Sequence, residues 1–143
     1  MQRSSLLIMC TLFAGFLYGQ KDSVIKTEVY LDSTPPLTTV DSIFYSRKNV
    51  LTISFMEGFN DSVFIFRNGK CFDSLYLVTN ESLGFAGSTA MSYSNKEETI
   101  DLVVRFKSGA TIKERLNLNF THLQIRRLRQ WDLYYSNHFP KLK

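Results

Sequence analysis

The sequence predicts an all-β protein: a single antiparallel β-sandwich of about seven to eight strands, following a cleaved signal peptide. Three observations predict it. Apolar and polar residues alternate in several short runs, as in Val50–Phe55 and Thr99–Phe106. Asn68-Gly69 separates two runs rich in β-branched and aromatic residues, and that pair readily takes the positive φ angles of a type I′ hairpin turn. Turn residues recur at short intervals, and no run has a helical period that outweighs the strand pattern.

The leader comes first. One early cation, Arg3, precedes an apolar run from Leu6 to Tyr18, closed by Gly19 and Gln20. The run falls short of the roughly 20 apolar residues a spanning helix needs, and Lys21-Asp22-Ser23 turns polar at once. Residues 1–20 therefore read as a secretory signal peptide, with no transmembrane segment expected after its cleavage. Ala14, Gly15 and Gly19 supply the small residues a signal peptidase requires, whereas Leu7-Ile8-Met9 is too bulky a prelude for lipidation of Cys10. About 123 residues remain, enough for one domain with its own core.

Residues 21–48 are expected to form an extended N-terminal segment. Ser33-Thr34-Pro35-Pro36 interrupts any regular element, because proline lacks an amide proton and restricts the residue before it; an edge strand near Val24–Leu31 is compatible. The sandwich proper is assigned to 49–143. Its first strand, Val50–Phe55, puts Leu51, Ile53 and Phe55 on one face. The Asn-Gly hairpin runs from Ser62 to Leu77, and its first strand is apolar on both faces, so both are expected to be covered. Gly84-Phe85-Ala86-Gly87 forms a loop before a strand over Ser88–Ser94. A second hairpin turns at Lys107-Ser108-Gly109; within it Glu114 has inward parity, which implies an edge position or a register shift. The last pair, His122–Arg127 and Trp131–Ser136, joins through Leu128-Arg129-Gln130. A helix is the alternative there, and the aromatic run Trp131–Tyr135 favours strands.

The chemistry is sparse. Leader cleavage would leave Cys71 as the only cysteine, expected as a small buried residue with no disulfide. His122 and His138 stand sixteen positions apart without metal-ligand spacing and are expected at the surface or an edge. Asn60-Asp61 and Glu97-Glu98 lack the oxygen-ligand spacing of a calcium loop, and Gly84–Gly87 lacks the lysine of a phosphate-cradling loop. A Ser-His-Asp triad assembles in space and is invisible to spacing, but no Gly-x-Ser-x-Gly elbow is present. The expectation is a protein that is not an enzyme and needs no metal or cofactor.

Charge is more informative. From Lys21 to Val104 there are seven Lys/Arg against eleven Asp/Glu; from Arg105 to Lys143 there are nine against Glu114 and Asp132. Within the basic part, Arg126, Arg127 and Arg129 precede Trp131 and Tyr134, and these five are the expected ligand-binding residues. Export argues against nucleic acid and for an envelope protein or an anionic glycan. The competing account of the arginines is a charged edge that blocks strand-to-strand association.

The leader ending in Gly19-Gln20, the short polar tail, the block Asp61-Ser-Val-Phe-Ile-Phe-Arg-Asn-Gly-Lys70 and Gly84-Phe-Ala-Gly-Ser88 together resemble small uncharacterised exported β-sandwich proteins of Bacteroidetes, over roughly Asn49 to Pro140. The resemblance implies no catalytic residues. It implies O-glycosylation at Asp-Ser-apolar sites, which this sequence carries at Asp22-Ser23, Asp41-Ser42, Asp61-Ser62 and Asp73-Ser74. The functional expectation is a non-enzymatic binding or accessory module in the periplasm or at the cell surface. The alternative is a carbohydrate-binding domain or small carbohydrate-directed hydrolase, which would need exposed aromatics and, for catalysis, two carboxylates roughly 5 to 9.5 Å apart in a groove.

Overall fold

A computed structural model describes residues 23–36, 38–46 and 49–143; the expected leader over 1–20 lies outside the described residues. The described chain runs β1 (Ser23–Val24), β2 (Thr27–Asp32), α1 (Thr39–Ser46), β3 (Val50–Phe55), β4 (Asn60–Arg67), β5 (Lys70–Val78), β6 (Gly87–Ser92), β7 (Asp101–Phe106), β8 (Ala110–Arg115), β9 (His122–Arg127) and β10 (Trp131–Ser136). It divides into two compact units, each holding one five-stranded mixed sheet. Among the described residues no helix is long and apolar enough to cross a membrane.

The first sheet has the order β1-β8-β7-β4-β5. Asn68 and Gly69 join β4 to β5 with φ of 49° and 79°, the left-handed pair of a type I′ turn. Val63 and Ile65 lie opposite Phe106 and Val104, and Ile112 opposite Val104, so one face of the sheet is a continuous buried apolar surface. Each such side chain contributes roughly 1.5–3 kcal/mol by leaving water. On the other face Phe64 is buried, and the Arg105 guanidinium lies 5.1 Å from the centre of the half-buried Phe66 ring. Glu114 shares the face of Leu102 and Ile112. It is tolerated because β1 pairs with β8 only at Ala110 and Thr111, leaving the Glu114 end at the sheet edge. Cys71 departs from expectation. It is half-buried at the start of β5 and disulfide-bonded. The sequence expects an unpaired thiol there because Cys10 falls in the leader, which lies outside the described residues.

The second sheet has the order β2-β10-β9-β3-β6. Leu51, Ile53, Phe55, Met91, Leu123, Ile125, Leu133 and Tyr135 share one face and are all 0% exposed. The opposite face is polar: Thr52 and Ser54 on β3, His122, Gln124 and Arg126 on β9, Asp132, Tyr134 and Ser136 on β10, and Asp32 on β2.

Two expectations are corrected. The described residues form ten strands rather than seven to eight, and the sheets are mixed, because β1 pairs with β8, β2 with β10 and β3 with β9 in parallel. Alternation along a strand reports which side chains share a face, but carries nothing on the direction of a neighbour that arrives from 70 residues away, as β9 does beside β3. Residues 21–48 are also more than an extended segment, for they contain β1, β2 and the helix α1. Thr38 and Asp41 form a reciprocal cap on that helix. Asp41 donates its backbone N–H to Thr38 Oγ1 at 3.0 Å, and Asp41 Oδ2 accepts the Thr38 N–H at 3.2 Å. Pro35-Pro36 follows the end of β2 at Asp32 without preventing a helix from starting three residues later, at Thr39.

Candidate functional site

In α1, Val40 and Ile43 are about half-exposed, while Asp41 is only 5% exposed. Asp41 faces the polar side of the second sheet, where α1 and the segment after β10 enclose a cleft of about 590 Å³. The cleft is lined by Asp32 and Thr34 after β2, Asp41 of α1, Arg126 of β9, Tyr134 of β10, and His138 and Lys141 of the C-terminal segment.

Its two carboxylates are saturated by the protein. Asp32 accepts the Thr34 hydroxyl at 2.6 Å, the Thr34 N–H at 3.0 Å and the Tyr134 hydroxyl at 2.9 Å. These bonds, the Thr34 hydroxyl first, hold its pKa down to about 2. Asp41 accepts the Phe139 N–H at 2.6 Å, faces His138 Nδ1 at 3.6 Å and caps α1; the Phe139 bond leads in holding it down to about 2 against its burial. Burial, then the bond to Asp32, raises the Tyr134 hydroxyl. Both carboxylates are anions at neutral pH.

Thr34, His138 and Asp41 lie in the order of a hydrolytic triad, with Thr34 Oγ1 beside His138 Nε2. Proton bookkeeping argues against that role. The single hydroxyl proton of Thr34 goes to Asp32, so Nε2 donates to Thr34 Oγ1 instead of accepting from it. A histidine that donates to the hydroxyl is not its base, and Asp32 would repel the negative charge of an activated oxygen.

His122 lies on the same face, 0% exposed, with Nδ1 2.9 Å from Thr121 Oγ1 and its ring 5.9 Å from that of Phe139. This corrects the expected surface position: α1 and the C-terminal segment cover a face that alternation alone reads as solvated. Burial lowers its pKa to about 4, so it is neutral at pH 7.

The cations differ from the carboxylates. Arg126 donates through Nη2 to Gln124 Oε1 at 2.6 Å, and its guanidinium lies 5.3 Å from the centre of the Tyr134 ring. Neither contact is ionic. Asp132, across the strand pair from Arg126, accepts Gln130 Nε2 at 3.0 Å. Among the described residues neither Arg126 nor Lys141 forms an ion pair. Asp32 and Asp41 keep their negative charge and balance Arg126 and Lys141 in number; the two cations differ in having no ionic contact, while the carboxylate oxygens are taken up by hydrogen bonds within the protein.

The five sequence-predicted residues do not form one site. Arg126 and Tyr134 line the cleft. Arg127 and Trp131 face the other way, with the guanidinium 5.1 Å from the indole centre and Trp131 against Phe59 at 5.8 Å. Arg129 is exposed in the β9–β10 turn. Sequence reasoning missed Asp32, Thr34, Asp41, His138 and Lys141. Only Asp41 had a local signal, the Thr38-x-x-Asp41 capping pattern; the others are brought together by pairing over about 100 residues. Among the described residues no group of three or more His, Cys, Asp or Glu is placed to hold a metal ion. Comparison with known proteins finds no matching family model, no matching curated protein and no matching solved structure.

Proposed function

We propose that this chain is an exported, non-enzymatic binding module of the β-sandwich class that recognises an acidic envelope glycan through the cleft on its second sheet. One observation carries the reading: Arg126 and Lys141 line a cleft whose carboxylates are fully engaged by the protein, and neither cation has an ionic partner among the described residues. Such a cleft favours a carboxylate or sulfate group, with the guanidinium fork held in place by Gln124 and Tyr134. The hydroxyls of Thr34 and Ser136 and the Gln124 amide add polar lining suited to sugar hydroxyls.

The hydrolase alternative is weaker. A glycosidase needs one carboxyl group protonated at working pH, and both candidates here are held near 2. The Tyr134 ring, already covered by Arg126, is not a bare platform for sugar stacking. Calorimetric titration with a uronic-acid oligosaccharide and its neutral counterpart tests the reading. Binding of the acidic ligand alone, weakened at least tenfold by Arg126→Gln, is expected. Equal affinity for both ligands, or turnover of either, would overturn it.

A further inference from the structure

The two remaining arginines point to a second surface. The β9–β10 turn is closed by the Leu128 N–H donating to Gln130 O at 3.2 Å, and Leu128 protrudes from it, 64% exposed between the exposed Arg127 and Arg129. Two more leucines stand out nearby: Leu83 at 39% and Leu142 at 44% exposure. The backbone ties these segments together, because the Lys143 N–H donates to Leu83 O at 3.1 Å and the Arg127 N–H to Glu57 O at 3.2 Å. Leu83, Leu128, Lys141 and Lys143 line one depression together with Glu57 and Arg126.

Single exposed leucines are ordinary, but leucines interleaved with cations at one end of a sheet are not scattered ones. We propose that the β9–β10 turn and the C-terminal segment form a docking surface for an anionic lipid bilayer, with Leu128 entering the headgroup layer and Arg127, Arg129 and Lys141 meeting lipid phosphates. Charge complementarity favours this occupant. Glu57 is paired with Lys143 at 2.7 Å; Arg127, Arg129 and Lys141 then outnumber Glu28 and Asp132, whose bonds from the neutral Gln130 amide leave their charge in place, so the surface keeps a small positive excess. Leu83, Leu128 and Leu142 are exposed. A bilayer closes around protrusions, while long arginine and lysine stems keep their charges at the phosphate level. The surface adjoins the cleft at Arg126 and Lys141, which line both, whereas Leu128 and Arg129 do not line the cleft.

Co-sedimentation of the full chain with phosphatidylcholine vesicles, with and without phosphatidylglycerol, tests the proposal against Leu128→Ser and the double variant Arg127→Gln, Arg129→Gln. All three proteins share every other segment, so differences between them report the turn alone. Phosphatidylglycerol should strengthen binding of the parent. Each arginine removed should weaken it about fivefold, the equivalent of roughly 1 kcal/mol per cation at an anionic membrane, and Leu128→Ser should weaken it severalfold. Neither variant should change affinity for the uronic-acid oligosaccharide or the melting temperature. Equal sedimentation of Leu128→Ser and parent, or indifference to phosphatidylglycerol, overturns the proposal. Loss of glycan binding with vesicle binding intact would instead overturn the cleft reading alone.

Discussion

Replacing Asp41 by asparagine separates two acid-sensitive groups that lie under the same cover. Asp41 has its pKa lowered from 3.8 to about 2, so its stabilising contribution is fully present above pH 4 and is lost as pH falls through 2. At 1.36 kcal/mol per pKa unit, that contribution is at most about 2 kcal/mol. His122 has its pKa lowered from 6.5 to about 4 by burial; the unfolded chain takes up its proton first, and stability falls by up to about 3 kcal/mol between pH 6.5 and 4. Asp41 also favours the charged form of His122, so its removal should push that histidine further down and steepen the upper window slightly. Urea unfolding followed by far-ultraviolet circular dichroism from pH 7 to pH 2 should show the parent losing stability in both windows. Asp41→Asn should be less stable by about 1–2 kcal/mol at pH 7, retain the loss between pH 6.5 and 4, and converge on the parent near pH 2. A constant offset between the two curves from pH 4 to 2 would refute the assignment of the lower window to Asp41.

Other perturbations follow from single contacts. Gly58 has φ of 89°, and a Cβ there would lie 1.9 Å from the backbone oxygen of Arg127, so Gly58→Ala should cost more than about 3 kcal/mol in thermal or urea unfolding. Gly69 has a similar φ but open space around it, so Gly69→Val should cost only about 1–2 kcal/mol; an unchanged melting temperature would contradict the type I′ turn. Thr38→Ala removes the cap of α1 and should cost about 1 kcal/mol. Replacing Arg126, Arg127 and Arg129 together by glutamine should lower the salt needed to elute the chain from heparin while leaving the melting temperature within about 0.5 kcal/mol equivalents. Equal elution of parent and variant would leave the arginines as a solvated edge.

The legible parts of this protein were those written within a few residues. The Asn68-Gly69 turn, the Val50–Phe55 alternation and the His122–Ser136 strand pair each depend on local propensity and period; each is present, and Leu51, Ile53 and Phe55 are buried on one face as expected. The arginine run was visible as charge, but not as two surfaces. A residue added along a strand reverses the side chain, so Arg126 enters the cleft and Arg127 leaves it. His122 was misplaced because its face alternates as a solvated one does, and the cover over that face comes from distant segments.

By itself the sequence determined the all-β composition, the hairpin turns, the apolar faces and the basic C-terminal part, since those rest on φ preferences, two-residue periodicity and charge counts. Tertiary structure decided the parallel neighbours, the inward turn of Asp41 and the meeting of Asp32, Thr34, Arg126 and His138. Those depend on contacts across about 100 residues, where no local periodicity links one partner to the other. The charge balance of the cleft belongs to the same level, because a carboxylate becomes unavailable to a ligand only when folding delivers the donors that saturate it.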